Sequence, residues 1–390
     1  MRKLFIVAGE SSGDLHGSAV IRAIRKREPE ARIRALGGPL MREAGAELVA
    51  DLTAHAVMGL FEGIRNVARI YAAFRKVVRL LKADPPDGVV LIDFPEFNLR
   101  LARRAKQLGI PVIYYISPQV WAWRQWRVKI IEKYVDKVLV IFPFEEEFYR
   151  GHGVQVEFVG HPLVDELAAV PGRSASRATL GLQENATVIG LLPGSRRKEI
   201  EAILPIMVRA ARIIRERLGR PVKFVAAKAP SVDARLLDEI VSSSGLDVEI
   251  VNDDTYRVMR SSDLLLAASG TATVEAMILG TPMIVVYRVS VFTWVLFIRL
   301  MKVIHYAMVN IVAGREIVPE FIQWRASPEL IAQEAVLLFQ GDRLSRMRED
   351  LAQTTARLRR PAGPPDPDTT GGGVPSAVAA RILDFTADKG

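Results

Sequence analysis

Short apolar runs rich in Val, Ile and Leu recur along the chain, and between them lie longer segments whose apolar positions return every three or four residues. The short runs predict strands buried on both faces, and the longer segments predict the helices that cross between them, so the pattern is that of parallel sheets. In the first half the runs fall at 4–9 (LFIVAG), 32–38 (RIRALGG), 88–93 (GVVLID), 111–117 (PVIYYIS), 137–142 (KVLVIF) and 156–160 (VEFVG). The second half restarts with 187–195 (TVIGLLPGS), 222–227 (VKFVAA), 248–252 (VEIVN), 263–269 (DLLLAAS) and 282–288 (PMIVVYR). Between Val159 and Ser176 the periodicity lapses and glycines and prolines appear, which sets a domain junction there. The expected fold is therefore α/β, with two Rossmann-like, doubly wound domains at 1–165 and 166–360 facing a cleft, as in the GT-B architecture. A two-domain dehydrogenase shares that outline. Residues 361–390 begin Pro/Gly-rich, as a strap, and end in a segment that predicts one short helix docking back on a domain.

One segment carries a different pattern. Between Glu62 and Asp84 there are six basic residues and no acid, while Leu60, Ile64, Val67, Tyr71, Phe74, Val78 and Leu81 return at helical spacing. Phe61 and Ile70 lie beside that stripe, so a single core seam does not use every apolar position. A helix with cationic and apolar faces can rest in the headgroup region of anionic lipid, and Leu60, Phe61, Ile64, Val67, Ile70, Tyr71 and Phe74 are the expected patch. Core packing is the alternative. Val289 to Ile298, followed by Arg299 and Lys302, is a second segment of the same kind.

Composition sharpens this picture. The net charge is +9 over 390 residues, which favours an anionic partner, and mean hydropathy is +0.16. No zinc finger or RNP motif accompanies the charge, so nucleic acid is not expected. There is no cysteine, which excludes disulfides, thiolate metal sites and cysteine nucleophiles; the five histidines never fall at metal-ligand spacing. No run reaches the ~18–20 apolar residues of a membrane-spanning helix, and none has the form of a cleavable signal, so a cytoplasmic protein at a membrane surface is the simplest expectation.

Candidate chemistry gathers where strands end. The first strand runs into Gly9-Glu10-Ser11-Ser12-Gly13-Asp14-Leu15-His16-Gly17, a small-residue turn that lets backbone approach an anion or a sugar oxygen. Its spacing is not that of a dinucleotide fingerprint, and no acid follows at the end of the second strand, which argues against NAD. Asp93 ends an apolar strand beside Phe94 and Phe97, placed either to accept a proton or, like Asn98, to cap the next helix. Ser117 to Arg127 holds three of the five tryptophans, interleaved with arginines, which suits sugar faces and phosphates or else forms a packed corner. Gly194, Ser195 and Arg196 end the first strand of the second half in a turn suited to a diphosphate. Ser269, Gly270 and Thr271 open another helix, with Glu275 one turn on to take ribose hydroxyls or simply to complement the helix dipole. Asn310, Arg315 and Glu316 form a polar cluster after an apolar stretch.

Taken in order, GESSGDLHG (9–17), IDFPEFN (92–98), SPQVWAWR (117–124), PGSRRKEI (193–200), SGTATVE (269–275) and NIVAGREIVPE (310–320) resemble the lipid-A-disaccharide synthase family. The resemblance implies an inverting GT-B glycosyltransferase of Gram-negative bacteria, peripheral on the cytoplasmic face of the inner membrane. It implies UDP-2,3-diacylglucosamine as donor, 2,3-diacylglucosamine 1-phosphate as acceptor, a β-1,6-linked disaccharide 1-phosphate and UDP as products, and neither metal nor cofactor. By motif it makes Asp93 the essential carboxylate. Glu10, Ser12, Asp14 and His16 become the acceptor-side loop, and Gly194, Ser195, Arg196, Ser269, Gly270, Thr271, Glu275, Asn310 and Glu316 the nucleotide site. A homodimer is left open. A UDP-sugar epimerase and a non-catalytic nucleotide-binding module are the competing classes on the same scaffold.

Overall fold

A computed structural model of the chain describes residues 1–52, 63–290 (63–66 by backbone only), 294, 304–359 and 373–387. Contacts divide it into two units, Met1–Pro162 with Leu358–Gly390, and Leu163–Arg357. The boundary thus falls a few residues before the expected junction at 165/166, and the last segment belongs to the first unit.

Unit 1 is built on seven strands: β1 (Lys3–Ala8), β2 (Arg32–Leu36), β3 (Glu47–Ala50), β4 (Gly88–Ile92), β5 (Val112–Tyr115), β6 (Lys137–Val140) and β7 (Val156–Phe158). All pair in parallel, in the order β3-β2-β1-β4-β5-β6-β7. Alternate side chains feed opposite cores. Phe5, Val7, Val89, Leu91 and Tyr114 pack under the helices Gly63–Ala83 and Pro95–Gln107, whereas Leu4, Ile6, Val90, Ile92 and Tyr115 face the helix Ser11–Arg27. The C-terminal helix Gly373–Ala387 completes this second layer, burying Val374, Val378, Ile382 and Leu383 beside Val20, Ile21 and Ile24. Each such side chain contributes roughly 1.5–3 kcal/mol, enough to hold the returning chain on this unit.

Unit 2 repeats the plan with β8 (Thr187–Leu192), β9 (Val222–Lys228), β10 (Val248–Asn252), β11 (Leu264–Ala268), β12 (Met283–Tyr287) and β13 (Glu320–Ile322), all parallel, ordered β10-β9-β8-β11-β12-β13. The eleven apolar runs correspond to eleven of these thirteen strands. The two others, β3 and β13, are sheet-edge segments of four and three residues, too short to stand out from loop.

Both sheets reverse their winding direction at one place, between β1 and β4 in unit 1 and between β8 and β11 in unit 2. The helices that follow two such strands leave on opposite faces, so the carboxyl ends of the strands open onto a crevice, the usual ligand position in open α/β sheets.

Candidate active site

In unit 1 the switch point brings the Gly9 and Asp93 turns side by side, because Ala8 pairs with Ile92 at the ends of β1 and β4. Phe94 lies over Gly9 so closely that a Cβ there would sit 2.2 Å from the ring, so only glycine fits. Gly13 lets the helix Ser11–Arg27 approach β1, its missing Cβ falling 3.1 Å from that of Ala8.

Asp93 and Phe94 both have left-handed backbones (φ 44° and 48°), as does the β-branched Ile116 (φ 54°), whose carbonyl accepts the Asp93 N–H at 3.2 Å. Each such residue costs on the order of 1–3 kcal/mol, and such strain clusters at functional sites. Two buried side chains hold the turn: Asn98 Nδ2 donates to the Ile92 and Asp93 carbonyls (3.1 and 2.7 Å), and the Tyr114 hydroxyl donates to the Asp93 carbonyl at 2.7 Å. Neither Asp93 nor Asn98 caps the helix Pro95–Gln107, whose N-cap is Phe94 without a side-chain bond. The capping alternative therefore fails, and the Asp93 carboxyl remains available at the strand end. Burial, reinforced by Glu10, pushes its pKa up to about 6 against the opposing pull of the Phe94 N–H and His16. Glu10 and Ser12 are exposed and His16 is half-buried.

Asp14 departs from expectation. It is buried, and its carboxylate accepts backbone N–H groups of Gly38 (2.8 Å), Leu40 (3.0 Å) and Met41 (3.1 Å) at the start of the short helix Pro39–Glu43. Buried, with three backbone donors on its two oxygens, it serves structure, which corrects its assignment to acceptor contact. Two residues that sequence reasoning passed over belong here: Tyr114, which braces the Asp93 turn, and buried His161, electrostatically coupled to His16 and kept neutral by burial, its pKa lowered to about 3. The tyrosine pair within PVIYYIS was the available signal for the first.

The Ser117–Arg127 loop is a packed corner in part. Trp121 is buried and donates Nε1 to Glu145 at 3.1 Å, and burial lifts that carboxyl to about 7. Trp123 and Trp126 are 40% and 61% exposed.

In unit 2, Leu192 pairs with Ala267, so the turns after β8 and β11 adjoin. Gly194 is left-handed (φ 109°), and a Cβ would meet the Glu199 carboxylate at 2.3 Å; that carboxylate accepts the Ser195 N–H at 3.2 Å. Arg196 is the N-cap of the helix Arg197–Leu218 and is exposed, whereas Arg197 is tied to Glu201 at 2.7 Å. Across the crevice the helix Thr271–Ile278 starts at Gly270 without a side-chain cap, and nothing lies within 4 Å of where a Gly270 Cβ would be. Its first amides thus offer partial positive charge to an anion. The Ser269 hydroxyl donates to the Tyr306 carbonyl (3.2 Å), which braces the turn.

Glu275 is partly buried; burial and Glu166 raise its pKa while Tyr256, whose hydroxyl donates to Oε1 at 3.3 Å, opposes this. Tyr256 was not singled out from sequence, because a lone tyrosine in DDTYRV carries no pattern. Asn310 requires a second correction. It is fully buried; Nδ2 donates to Val318 O (2.9 Å) and Glu320 Oε1 (2.7 Å), and Oδ1 accepts Ile317 N (2.8 Å) and Val318 N (3.1 Å). The amide is saturated by its own loop and has nothing left for nucleotide. Glu316 is exposed on that loop.

The expected lipid patch divides. Leu60 and Phe61 lie outside the described residues, as does the side chain of Ile64. On the helix Gly63–Ala83, Val67 and Tyr71 are 66% and 60% exposed. Ile70 and Phe74 are partly buried and pack against the core, Phe74 edge-on to Phe97 at 5.4 Å, while Phe74 also lines the groove beside Tyr71. The seam that packs inward is Ile70, Ala73, Phe74, Val77, Val78 and Leu81. Tyr71, Arg75, Arg79, Lys82 and Arg104 rim a groove of about 520 Å³ between this helix and Pro95–Gln107. Most of the second candidate segment, including Arg299 and Lys302, is outside the described residues. Among the described residues no helix is long and apolar enough to cross a membrane.

A protein family described as lipid-A-disaccharide synthetase matches residues 4–362. The lipid-A-disaccharide synthase of Syntrophus aciditrophicus is 44% identical over 363 residues, 92% of this chain and 94% of its own. That of Geobacter metallireducens is 40% identical over 394 aligned residues, covering 100% and 98% of the two chains. Among solved structures, the calicheamicin glycosyltransferase CalG4 matches with TM-score 0.61 and 17% identity over 99% of this chain and 98% of its own. A UDP-GlcNAc 2-epimerase from Neisseria meningitidis bound to UDP-GlcNAc matches with TM-score 0.58 and 13% identity over the whole of both chains. At such identities the structural likeness speaks for the fold alone.

Proposed function

We propose a reaction from a plain premise: the chain belongs to the lipid-A-disaccharide synthase family and is a glycosyltransferase. It transfers 2,3-diacylglucosamine from UDP-2,3-diacylglucosamine to the 6-hydroxyl of 2,3-diacylglucosamine 1-phosphate. The products are the β-1,6-linked disaccharide 1-phosphate and UDP. The observation that carries this reading is the grouping of Asp93 at one switch point and Arg196, Gly270, Thr271 and Glu275 at the other.

In unit 1, Asp93 takes the proton of the acceptor hydroxyl as that oxygen attacks the donor anomeric carbon on the face opposite UDP. A carboxylate with a pKa near 6 is mostly ionised at neutral pH yet more basic than an exposed one, as a general base requires. Glu10, Ser12 and His16 line the same turn and contact the acceptor. The anomeric carbon passes through an oxocarbenium-like state, as in glycoside hydrolysis. In unit 2, the Arg196 guanidinium and the amides beginning the helix Thr271–Ile278 meet charge developing on the departing diphosphate. Glu275, held by Tyr256, accepts the ribose hydroxyls. The reading assigns the transfer no metal and no further cofactor.

Both substrates carry acyl chains, and each methylene drawn into water costs ~0.8 kcal/mol. The enzyme therefore works at the surface of an anionic membrane, the cytoplasmic face of the inner membrane. Val67, Tyr71 and the cationic groove beside them favour that contact.

Incubation of the pure protein with both lipid sugars, followed by mass spectrometry, tests the reading. Formation of disaccharide 1-phosphate and UDP is expected. Conversion of the donor sugar to an epimer, or UDP binding without turnover, would replace it with one of the competing classes.

A further inference from the structure

Two arginines beside the Asp93 turn share one replaceable partner. Arg124 and Arg127 stand in the loop after β5, and both reach Glu96, in the first turn after Asp93: Arg124 Nη1 at 2.9 Å, and Arg127 through Nη2. The three side chains differ sharply in burial, with Arg127 at 8% exposure, Arg124 at 40% and Glu96 at 63%. A buried guanidinium is thus balanced by a carboxylate that stands mostly in water. Arg127 Nε is moreover buried without a hydrogen-bond partner, so the cation is not saturated.

The loop also holds these cations rigidly. Arg124 has a left-handed backbone (φ 54°, ψ 42°), a strained state that surrounding structure must enforce. Arg124 lies over Trp123 at 4.3 Å from the ring centroid and Arg127 over Trp126 at 5.6 Å, so each cation has an aromatic neighbour. Trp121 is anchored on Glu145, and Gln125 Nε2 donates to the Trp121 carbonyl at 3.1 Å. Exposed tryptophans, arginines beside them and a displaceable carboxylate are what an anion-exchange site needs.

We propose that Arg124 and Arg127 form a phosphate-monoester subsite in unit 1, with Glu96 as the resident carboxylate that the ligand phosphate displaces. Resting on the function proposed above, the ligand is the 1-phosphate of the acceptor sugar. A phosphate monoester brings about −1.5 to −2 charges and three acceptor oxygens where Glu96 brings one charge. The exchange therefore gains charge-assisted bonds, and an acceptor lacking its phosphate leaves Glu96 in place. The subsite selects the phosphorylated acceptor and sets its register beside Asp93.

The test compares wild type, Arg124→Ala and Glu96→Gln in detergent micelles with the 1-phosphate acceptor and its dephosphorylated counterpart, and titrates soluble glucosamine 1-phosphate calorimetrically. Arg124 is partly exposed, so its removal leaves the core intact. Arg124→Ala is expected to raise acceptor KM ~10–100-fold, to leave donor KM unchanged and to erase the preference for the phosphorylated acceptor. Glu96→Gln is expected to tighten glucosamine 1-phosphate binding. An unaltered acceptor KM and preference in Arg124→Ala would overturn the proposal. So would a defect confined to flotation on phosphatidylglycerol vesicles, which would assign these cations to lipid headgroups. Failure of the reaction assignment is separate: it appears as no disaccharide from wild type, whereas the calorimetric titration reads the subsite without turnover.

Discussion

The two switch points have the same topology and opposite chemistry. At the end of β4, Asp93 is half-buried on a left-handed backbone, has an acidic neighbour in Glu10 and lies beside an aromatic ring. At the ends of β8 and β11, Arg196 is exposed, the helix Thr271–Ile278 is uncapped, and space is open above Gly270. The first environment disfavours charge and so makes a carboxylate basic; the second supplies positive potential and so favours an anion. On the function proposed above, proton transfer and leaving-group binding are separated by what surrounds the strand ends rather than by topology.

The sharpest way to break that contrast is Asp93→Asn. Loss of the base is expected to lower kcat ~10²–10⁴-fold and to leave UDP affinity, measured calorimetrically, unchanged. Stability should move the other way. A folded pKa of about 6, above the ordinary carboxylate value, means Asp93 favours folding when neutral and loses that contribution as pH rises through 6. Removing the ionised group should therefore stabilise the protein at neutral pH by about 1–3 kcal/mol, seen as a higher Tm whose advantage shrinks below pH 5.

Arg196→Ala attacks the other side. UDP binding is expected to weaken by about 1.5–3 kcal/mol, with donor KM raised and acceptor KM unchanged; equal losses for both substrates would blur the division. Asp14→Ala and Asn310→Ala ask whether the two corrected residues belong to either site. Each leaves buried backbone groups unpaired, at a cost of about 1–3 kcal/mol in urea unfolding, with KM values retained in the folded fraction. Glu275→Gln is expected to weaken UDP binding by about 1 kcal/mol and to reduce discrimination between UDP and its 2′-deoxy analogue. The smallest effect belongs to Val67→Ser with Tyr71→Ser: weaker flotation on anionic vesicles and an unchanged Tm, because both side chains are exposed.

Strand runs, the two turns of each crevice and the place of Asp93 at a strand end were legible because buried parallel strands and glycine turns leave local patterns. What stayed hidden depended on the far partner of a side chain. Asp14 and Asn310 look like ligand-facing polar residues until Gly38, Leu40 and Met41, or Ile317 and Val318, are seen to consume them. Helical spacing placed Phe74 and Tyr71 on one stripe, yet the helix turns Phe74 to the core and leaves Tyr71 outside. The Arg127–Glu96 pairing joins the segment after β5 to the first turn of the helix Pro95–Gln107 and has no signature along the chain.

The most direct test of the division of labour is the pH dependence of kcat/KM for disaccharide formation, in wild type and in Asp93→Asn, from about pH 5 to 8. Wild type should rise through a midpoint near 6 and level off, and the variant should be slow and without that midpoint. A variant that kept both the wild-type rate and the same inflection would show that another group carries the proton.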